Sequence, residues 1–293
     1  MKNLVLLVVF AVIAIWGTVA QAMDKVVYGT DGRKEVFESP TQYGEFARAT
    51  AGMIPNELLV QNGDKFDLKG ASTLKRDYSL CDSEKYLTQP TAANCSGFLV
   101  APDTLVTAGH CITNQADCNG SAWVFDYKLD NADKVRTSFP KSDVYKCKSI
   151  VARDLNRTTQ NDFAIITLDR AVTGRQPLKV RTTGKVEQTA DLLVIGQPSG
   201  LPTKITEGGT LRNNNNSVYF VANLDTFAGN SGSVVLDAKT GLVEGILVRG
   251  ENDYVLDSAR RCNIVNVCEE GKCRGEDVTR ITNLAKFLKP RKK

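Results

Sequence analysis

The stretch Asp225-Thr226-Phe227-Ala228-Gly229-Asn230-Ser231-Gly232-Ser233, running into Val234-Val235-Leu236, sets a serine between two glycines at the mouth of a β-branched strand. Glycines reach dihedrals that other residues avoid, so such a turn can be tight and its amides can converge on one point. The N–H groups of Gly229 and Ser231 then make a candidate oxyanion site beside a hydroxyl nucleophile. Glycine–serine turns also connect ordinary hairpins, so the stretch needs partners elsewhere. The chain holds one histidine, His110, in Thr107-Ala108-Gly109-His110-Cys111. A serine hydroxyl becomes nucleophilic when a base takes its proton, and the base works best when a buried carboxylate fixes its tautomer. Asp162, in Asn161-Asp162-Phe163-Ala164-Ile165-Ile166, is the candidate carboxylate, because an acid entering an apolar strand is costly to bury without a polar partner. Asp154 and Asp169 sit in more polar surroundings.

Working outward, the first residues read as an export signal spanning 1–22. Lys2 is a positive start, Leu4 to Ile15 is apolar, and Ala20-Gln21-Ala22 is a small-x-small cleavage site. The apolar run is shorter than the roughly 20 residues of a membrane span, which disfavours an uncleaved anchor. The expected mature chain is secreted or periplasmic, with no stable membrane insertion after cleavage. Removing 1–22 takes away one lysine and no acid, lowering the formal charge from +4 to +3. That bias, without a basic stripe carrying interleaved aromatics, argues against nucleic acid as a partner. The cluster Lys286, Lys289, Arg291, Lys292 and Lys293 reads as a solvated tail.

All eight cysteines follow residue 22, and an even count in an exported chain reads as disulfides, with 105 possible connectivities. Cys262, Cys268 and Cys273 lack a CxxC pair and the histidine lies elsewhere, which argues against zinc or another metal. Residues 23–75 are mixed in character and read as an N-terminal arm or a propeptide. From about 95 onward, short strands alternate with Gly-, Pro- and Asn-bearing loops: 98–100 with 104–106 as a hairpin, then 123–127, 144–151, 164–168, 192–195, 218–222, 233–236 and 243–248. Asp277 is placed to cap a terminal helix over 277–289, with Val278, Ile281, Ala285 and Leu288 on one face before Pro290. Many short strands and one terminal helix predict an all-β barrel or sandwich.

The blocks Thr107-Ala108-Gly109-His110-Cys111, Asp162-Phe163-Ala164-Ile165 and Gly229-Asn230-Ser231-Gly232-Ser233 resemble, in that order, the signature blocks of chymotrypsin-fold, trypsin-like serine endopeptidases. Asn230 before the serine and Ser233 after it resemble the bacterial glutamyl-endopeptidase-like branch, as does the early Val27-Tyr28-Gly29-x-Asp31-x-Arg33. The resemblance covers 95–250 well and 26–33 loosely. It implies two antiparallel six-stranded barrels with a C-terminal helix, in a protease domain over 76–293 divided at about 180. It implies His110 and Asp162 from the first barrel, Ser231 from the second, and a Cys95–Cys111 disulfide. Val234 stands where proline is usual. Asn230 cannot form the ion pair with a freshly cut N-terminus that an aspartate makes in trypsin-type zymogens.

For substrate choice, the fold implied puts Asp225 at the floor of the primary pocket, where a carboxylate attracts Arg or Lys. The alternative is that Asp225 pairs internally, with Arg249 as the nearby cation. The branch resemblance pulls toward cleavage after Glu through Thr226, yet the second histidine that those pockets use is absent from the chain. The segment holding Val248, Arg249 and Gly250 is the expected pocket wall, pairing with substrate backbone as an added strand. The expectation is therefore a monomeric, exported serine endopeptidase acting on protein or peptide substrates, with basic P1 residues preferred over acidic ones. It has no cofactor or metal and uses His110, Asp162 and Ser231, with Gly229 and Ser231 holding the oxyanion. An esterase with the same groups, or a non-catalytic binding module on the same scaffold, are the rivals.

Overall fold

A computed structural model describes residues 26–269 and 272–288. The expected signal peptide and the end of the basic tail lie outside the described residues. Six antiparallel strands close into a barrel in the spatial order Ser121–Phe125, Val144–Leu155, Asp162–Leu168, Thr104–Thr107, Cys95–Ala101 and Thr50–Pro55, the last pairing back onto the first. Its interior is filled by Phe98, Trp123, Phe125 and Ile165, all fully buried. A barrel leaves no open edge, which suits strands this short.

The second half does not close. Eight strands form an open sheet in the order Leu211–Asn213, Tyr219–Ala222, Glu276–Arg280, Val243–Arg249, Val234–Asp237, Leu192–Gly196, Lys204–Gly209 and Lys34–Glu35. The second six-stranded barrel implied by the resemblance is thus an open, partly curved counterpart, bordered at one edge by the N-terminal arm. A mostly β chain with one closed barrel and one half-barrel is the chymotrypsin-like architecture.

Two boundaries differ from the sequence reading. Residues 23–75 do not stand apart: Thr50–Pro55 is a barrel stave, and Lys34–Glu35 pairs with Lys204 and Ile205. The stave shows no apolar alternation because Thr50 to Ile54 are all buried. The helix expected over 277–289 is also absent from the described part. Glu276–Arg280 is a fully buried strand held between Tyr219–Ala222 and Val243–Arg249, followed by a 3-10 turn at Ile281–Leu284. Pairing on both edges satisfies every backbone group of a buried segment, whereas a lone terminal helix would bury only one stripe. No helix among the described residues is long and apolar enough to cross a membrane.

Four disulfides are formed. Cys95–Cys111 and Cys118–Cys147 lie in the barrel half, Cys268–Cys273 closes a short loop, and Cys81–Cys262 joins the two halves.

Candidate active site

His110 follows the stave Thr104–Thr107 and Asp162 opens the neighbouring one, Asp162–Leu168. Antiparallel pairing of Ala164 with Thr107 sets their ends side by side. Gly109 makes the approach possible, since a Cβ there would lie 2.2 Å from the Asp154 carbonyl and 2.7 Å from that of Phe163. Asp162 is fully buried, and three N–H groups meet its charge. Oδ1 accepts from the amides of Gly109 at 2.6 Å and His110 at 3.1 Å, while Oδ2 lies 2.8 Å from His110 Nδ1. A carboxylate only accepts, so the imidazole proton is assigned to Nδ1 and Nε2 keeps its lone pair as a base.

The Ser231 turn is held from several sides. Asn230 N–H donates to Phe227 O, Ser233 N–H to Asn230 O, and Ser233 Oγ to Asn230 Oδ1. Gly232 N–H reaches Leu247 O at 2.8 Å. Ser96 clamps the turn from the barrel: its N–H donates to Ser231 O at 2.8 Å and its Oγ to Gly229 O at 2.9 Å, while that Oγ accepts from Gln197 N–H. Sulfur of Cys111 lies 3.7 Å from Ser231 O, and the Cys95–Cys111 sulfurs and a ring nitrogen of His110 fall within 4.8 Å of one another. His110, Asp162 and Ser231 therefore gather at the seam between barrel and sheet. The two cysteines are consumed by their disulfide and offer no thiolate, so this cluster lacks the donors of a metal site.

Ser199 N–H donates to the carbonyl of Ala228. Carbonyl and N–H of a trans peptide point oppositely, so the Gly229 N–H is turned away from Ser199. A cleft of 250 Å³ lies alongside, lined by Asp77, Tyr78, Asn94, Ser199 and Gly229.

The residues expected in the specificity pocket fall differently. Asp225 is 7% exposed and its two oxygens accept from Tyr28 N–H and Gly32 N–H, each at 2.7 Å. It is paired internally, with the arm's amides and not with Arg249. Burial pushes its pKa up, and the two amides only partly offset this. Thr226 Oγ donates to Glu276 Oε2 at 3.1 Å and its N–H reaches Val26 O. Val248 is fully buried in the sheet and presents no open surface. Gly250 packs against a buried acid, because a Cβ on it would come within 1.7 Å of Glu276 Oε2. Arg249 turns off the expected wall: Nε donates to Asp277 Oδ2 at 3.0 Å, Nη2 to Gln160 O at 2.9 Å, and Nη1 stands 3.7 Å from Asp162 Oδ2.

Glu276 and Ser96 were not found by reading the chain, and Arg33 entered only as part of the early block of the resemblance. Arg33 is buried, paired bidentately with Asp31, and stacked 3.9 Å over the ring of Phe227, so the arm props the loop before the serine. The signal available for Glu276 was the one used for Asp162, an acid at the head of a buried strand, masked by the helical spacing that follows it.

A family model for the trypsin-like peptidase domain matches residues 95–246, over half of the chain. The chain belongs to the trypsin-like peptidase family and is a serine endopeptidase that acts on peptide bonds. Among solved structures, a Glu endopeptidase in complex with MPD superimposes with a TM-score of 0.50 at 18% identity, covering 90% of this chain and 97% of that one. The VesB protease of Vibrio cholerae gives a TM-score of 0.49 at 12% identity, covering 90% and 67%. At such identities the likeness bears on the fold alone. No curated protein sequence matches the chain.

Proposed function

We propose that Ser231, His110 and Asp162 are the catalytic residues of this endopeptidase. The 2.8 Å contact of His110 Nδ1 with a fully buried, triply bonded Asp162 carries the reading, since it supplies an oriented base at the seam where Ser231 is clamped. Ser231 Oγ attacks the scissile carbonyl carbon while its proton passes to His110 Nε2, and the oxygen takes negative charge facing the N–H groups of Gly229 and Ser231. The C–N bond then breaks, Nε2 protonates the leaving amine, and an acyl-serine ester remains. Water repeats the sequence, returning the proton to Ser231 and releasing the acid.

The preferred P1 residue is Arg or Lys. Asp225 adjoins Thr226, whose Oγ donates to Glu276, so two buried acids neighbour the segment that leads to Ser231, and acids suit a cationic side chain. Arg249 is engaged with Asp277 and does not offset them. Export follows from the residues at 1–22 and from eight cysteines engaged in four disulfides, a state maintained in oxidising compartments.

Cleavage of a peptide library varied at P1 tests the reading, with Ser231→Ala as the blank. Cutting after Arg or Lys that disappears in the blank supports it. Cutting after Glu keeps the three catalytic residues and overturns the pocket; hydrolysis of esters alone, or binding without turnover, overturns the peptidase assignment of these residues.

A further inference from the structure

We infer that Arg249 is a positioning residue for the catalytic carboxylate, tying the loop of Asp162 to the neighbouring sheet and setting a fixed cation beside it, a role that rests on the assignment of Asp162 as the orienting acid. Its guanidinium is fixed by two hydrogen bonds, to Asp277 Oδ2 at 3.0 Å and to Gln160 O at 2.9 Å, and its side chain is 16% exposed. The third nitrogen is thereby set 3.7 Å from Asp162 Oδ2, the same oxygen that takes His110 Nδ1. Gln160 has φ +64, a left-handed backbone uncommon for a side-chain-bearing residue, with its carbonyl accepting from Arg249 Nη2 two residues before Asp162. Asn161 is fastened as well, donating to Asp154 Oδ2 and accepting from Asn283 Nδ2. One side chain therefore ties the loop that delivers Asp162 to the strand Val243–Arg249, and places a permanent cation against the carboxylate.

Two consequences follow from elementary electrostatics. A guanidinium beside Oδ2 partly offsets the negative charge that the carboxylate presents to the imidazole, so taking the cation away strengthens the carboxylate's pull on an imidazolium. At 3.7 Å the Arg249–Asp162 contact is an ion pair without a hydrogen bond, so Oδ2 stays available as the acceptor of His110 Nδ1. The other charges facing this group are Asp277 and its second partner Arg274 on and before the strand Glu276–Arg280, and Arg153 and Asp154 on Val144–Leu155, with Arg153 Nε donating to Gly109 O. Lysine cannot reproduce the planar fork that reaches Asp277 and Gln160 together, but it keeps the charge.

His110 is the sole histidine of the chain, so its imidazole titration can be followed by NMR in the intact protein without reference to turnover. Arg249→Gln is expected to move the midpoint, and the acid limb of kcat/KM, up by about half to one pH unit. Arg249→Lys should leave the midpoint near its native position while lowering kcat, since the charge persists and the clamp does not. Asp277→Asn removes a negative charge and should move the midpoint down. Midpoints that stay put in folded Arg249→Gln and Asp277→Asn, or that move in the same direction, overturn the inference. If Arg249→Gln fails to fold, the contrast of Arg249→Lys with Asp277→Asn decides. A native protein without peptidase activity whose midpoint nonetheless shifts as described would instead overturn the catalytic assignment and leave the coupling standing.

Discussion

Gly232, next to Ser231, has φ +87, and a Cβ on it would stand 2.1 Å from the Ser96 carbonyl and 2.3 Å from Thr107 Oγ. Both obstacles belong to the barrel, so the turn that carries the candidate nucleophile can only dock with no side chain there. Left-handed backbone alone costs a substituted residue about 1–2 kcal/mol. With the clash added, Gly232→Ala should lose on the order of 3 kcal/mol or more of stability, read from urea unfolding, and should lose activity even where the fold persists. The residues of the site were legible because each carries a local oddity: one histidine, an acid opening an apolar strand, a serine between glycines. Asp225 and Arg249 misled for a physical reason. Which partner a charge finds is set by strands far along the chain, and the amides of Tyr28 and Gly32 are 197 and 193 residues away from Asp225.

Among the elements, the arm strand Lys34–Glu35 depends on a buried ion pair. Lys204 Nζ bonds Glu35 Oε1 at 2.9 Å, Gln89 Oε1 at 2.8 Å and Pro202 O at 3.2 Å, and both charged side chains are almost wholly buried. Burial pulls the Lys204 pKa down to about 8 against the opposing pull of Glu35. Removing one partner leaves an uncompensated buried charge, so Lys204→Met should cost about 3–5 kcal/mol, whereas Lys204→Met with Glu35→Leu should recover most of it. The pH response has a definite sign. Between about 8 and 10.5 the unfolded lysine holds a proton that the folded one has lost, so stability should rise with pH by about 3 kcal/mol from this group. The double variant should lack that rise in denaturant midpoints. The strands at 98–100, 104–106, 164–168 and 192–195 were legible as short apolar runs bounded by turn residues. The strand Glu276–Arg280 was not, because a segment buried on both faces loses the alternation and its spacing then fits a helix equally well.

Across the molecule, the tyrosines around the arm set the alkaline limit. Burial lifts Tyr78 to about 12, and lifts Tyr28, Tyr86 and Tyr254 as well. Unfolded tyrosines ionise near pH 10 while these keep their protons, so the native state binds more protons and stability should fall steeply as pH climbs above about 10. Urea midpoints measured from pH 8 to 12 should therefore pass through a maximum. The closed barrel and open sheet share few covalent ties, and the arrangement of the halves was legible only through the family resemblance, since no local pattern states how two sheets meet.

Cys81–Cys262 is the one disulfide among the described residues that spans the halves, bridging a sequence separation of 181 residues. The connector between Leu168 and Leu192 is irregular and largely exposed, the sort of segment a peptidase nicks in its neighbours. A molecule cut there would keep both pieces on one covalent skeleton, with His110 and Asp162 on one and Ser231 on the other. It should run as a single band on a non-reducing gel, split into two under reductant, and go on working as a two-chain enzyme. Cys81→Ser with Cys262→Ser should let the same cut release the pieces, at a cost to the uncut protein of roughly 4–5 kcal/mol. The bridge is thus a form of insurance for a protease that lives among its own kind.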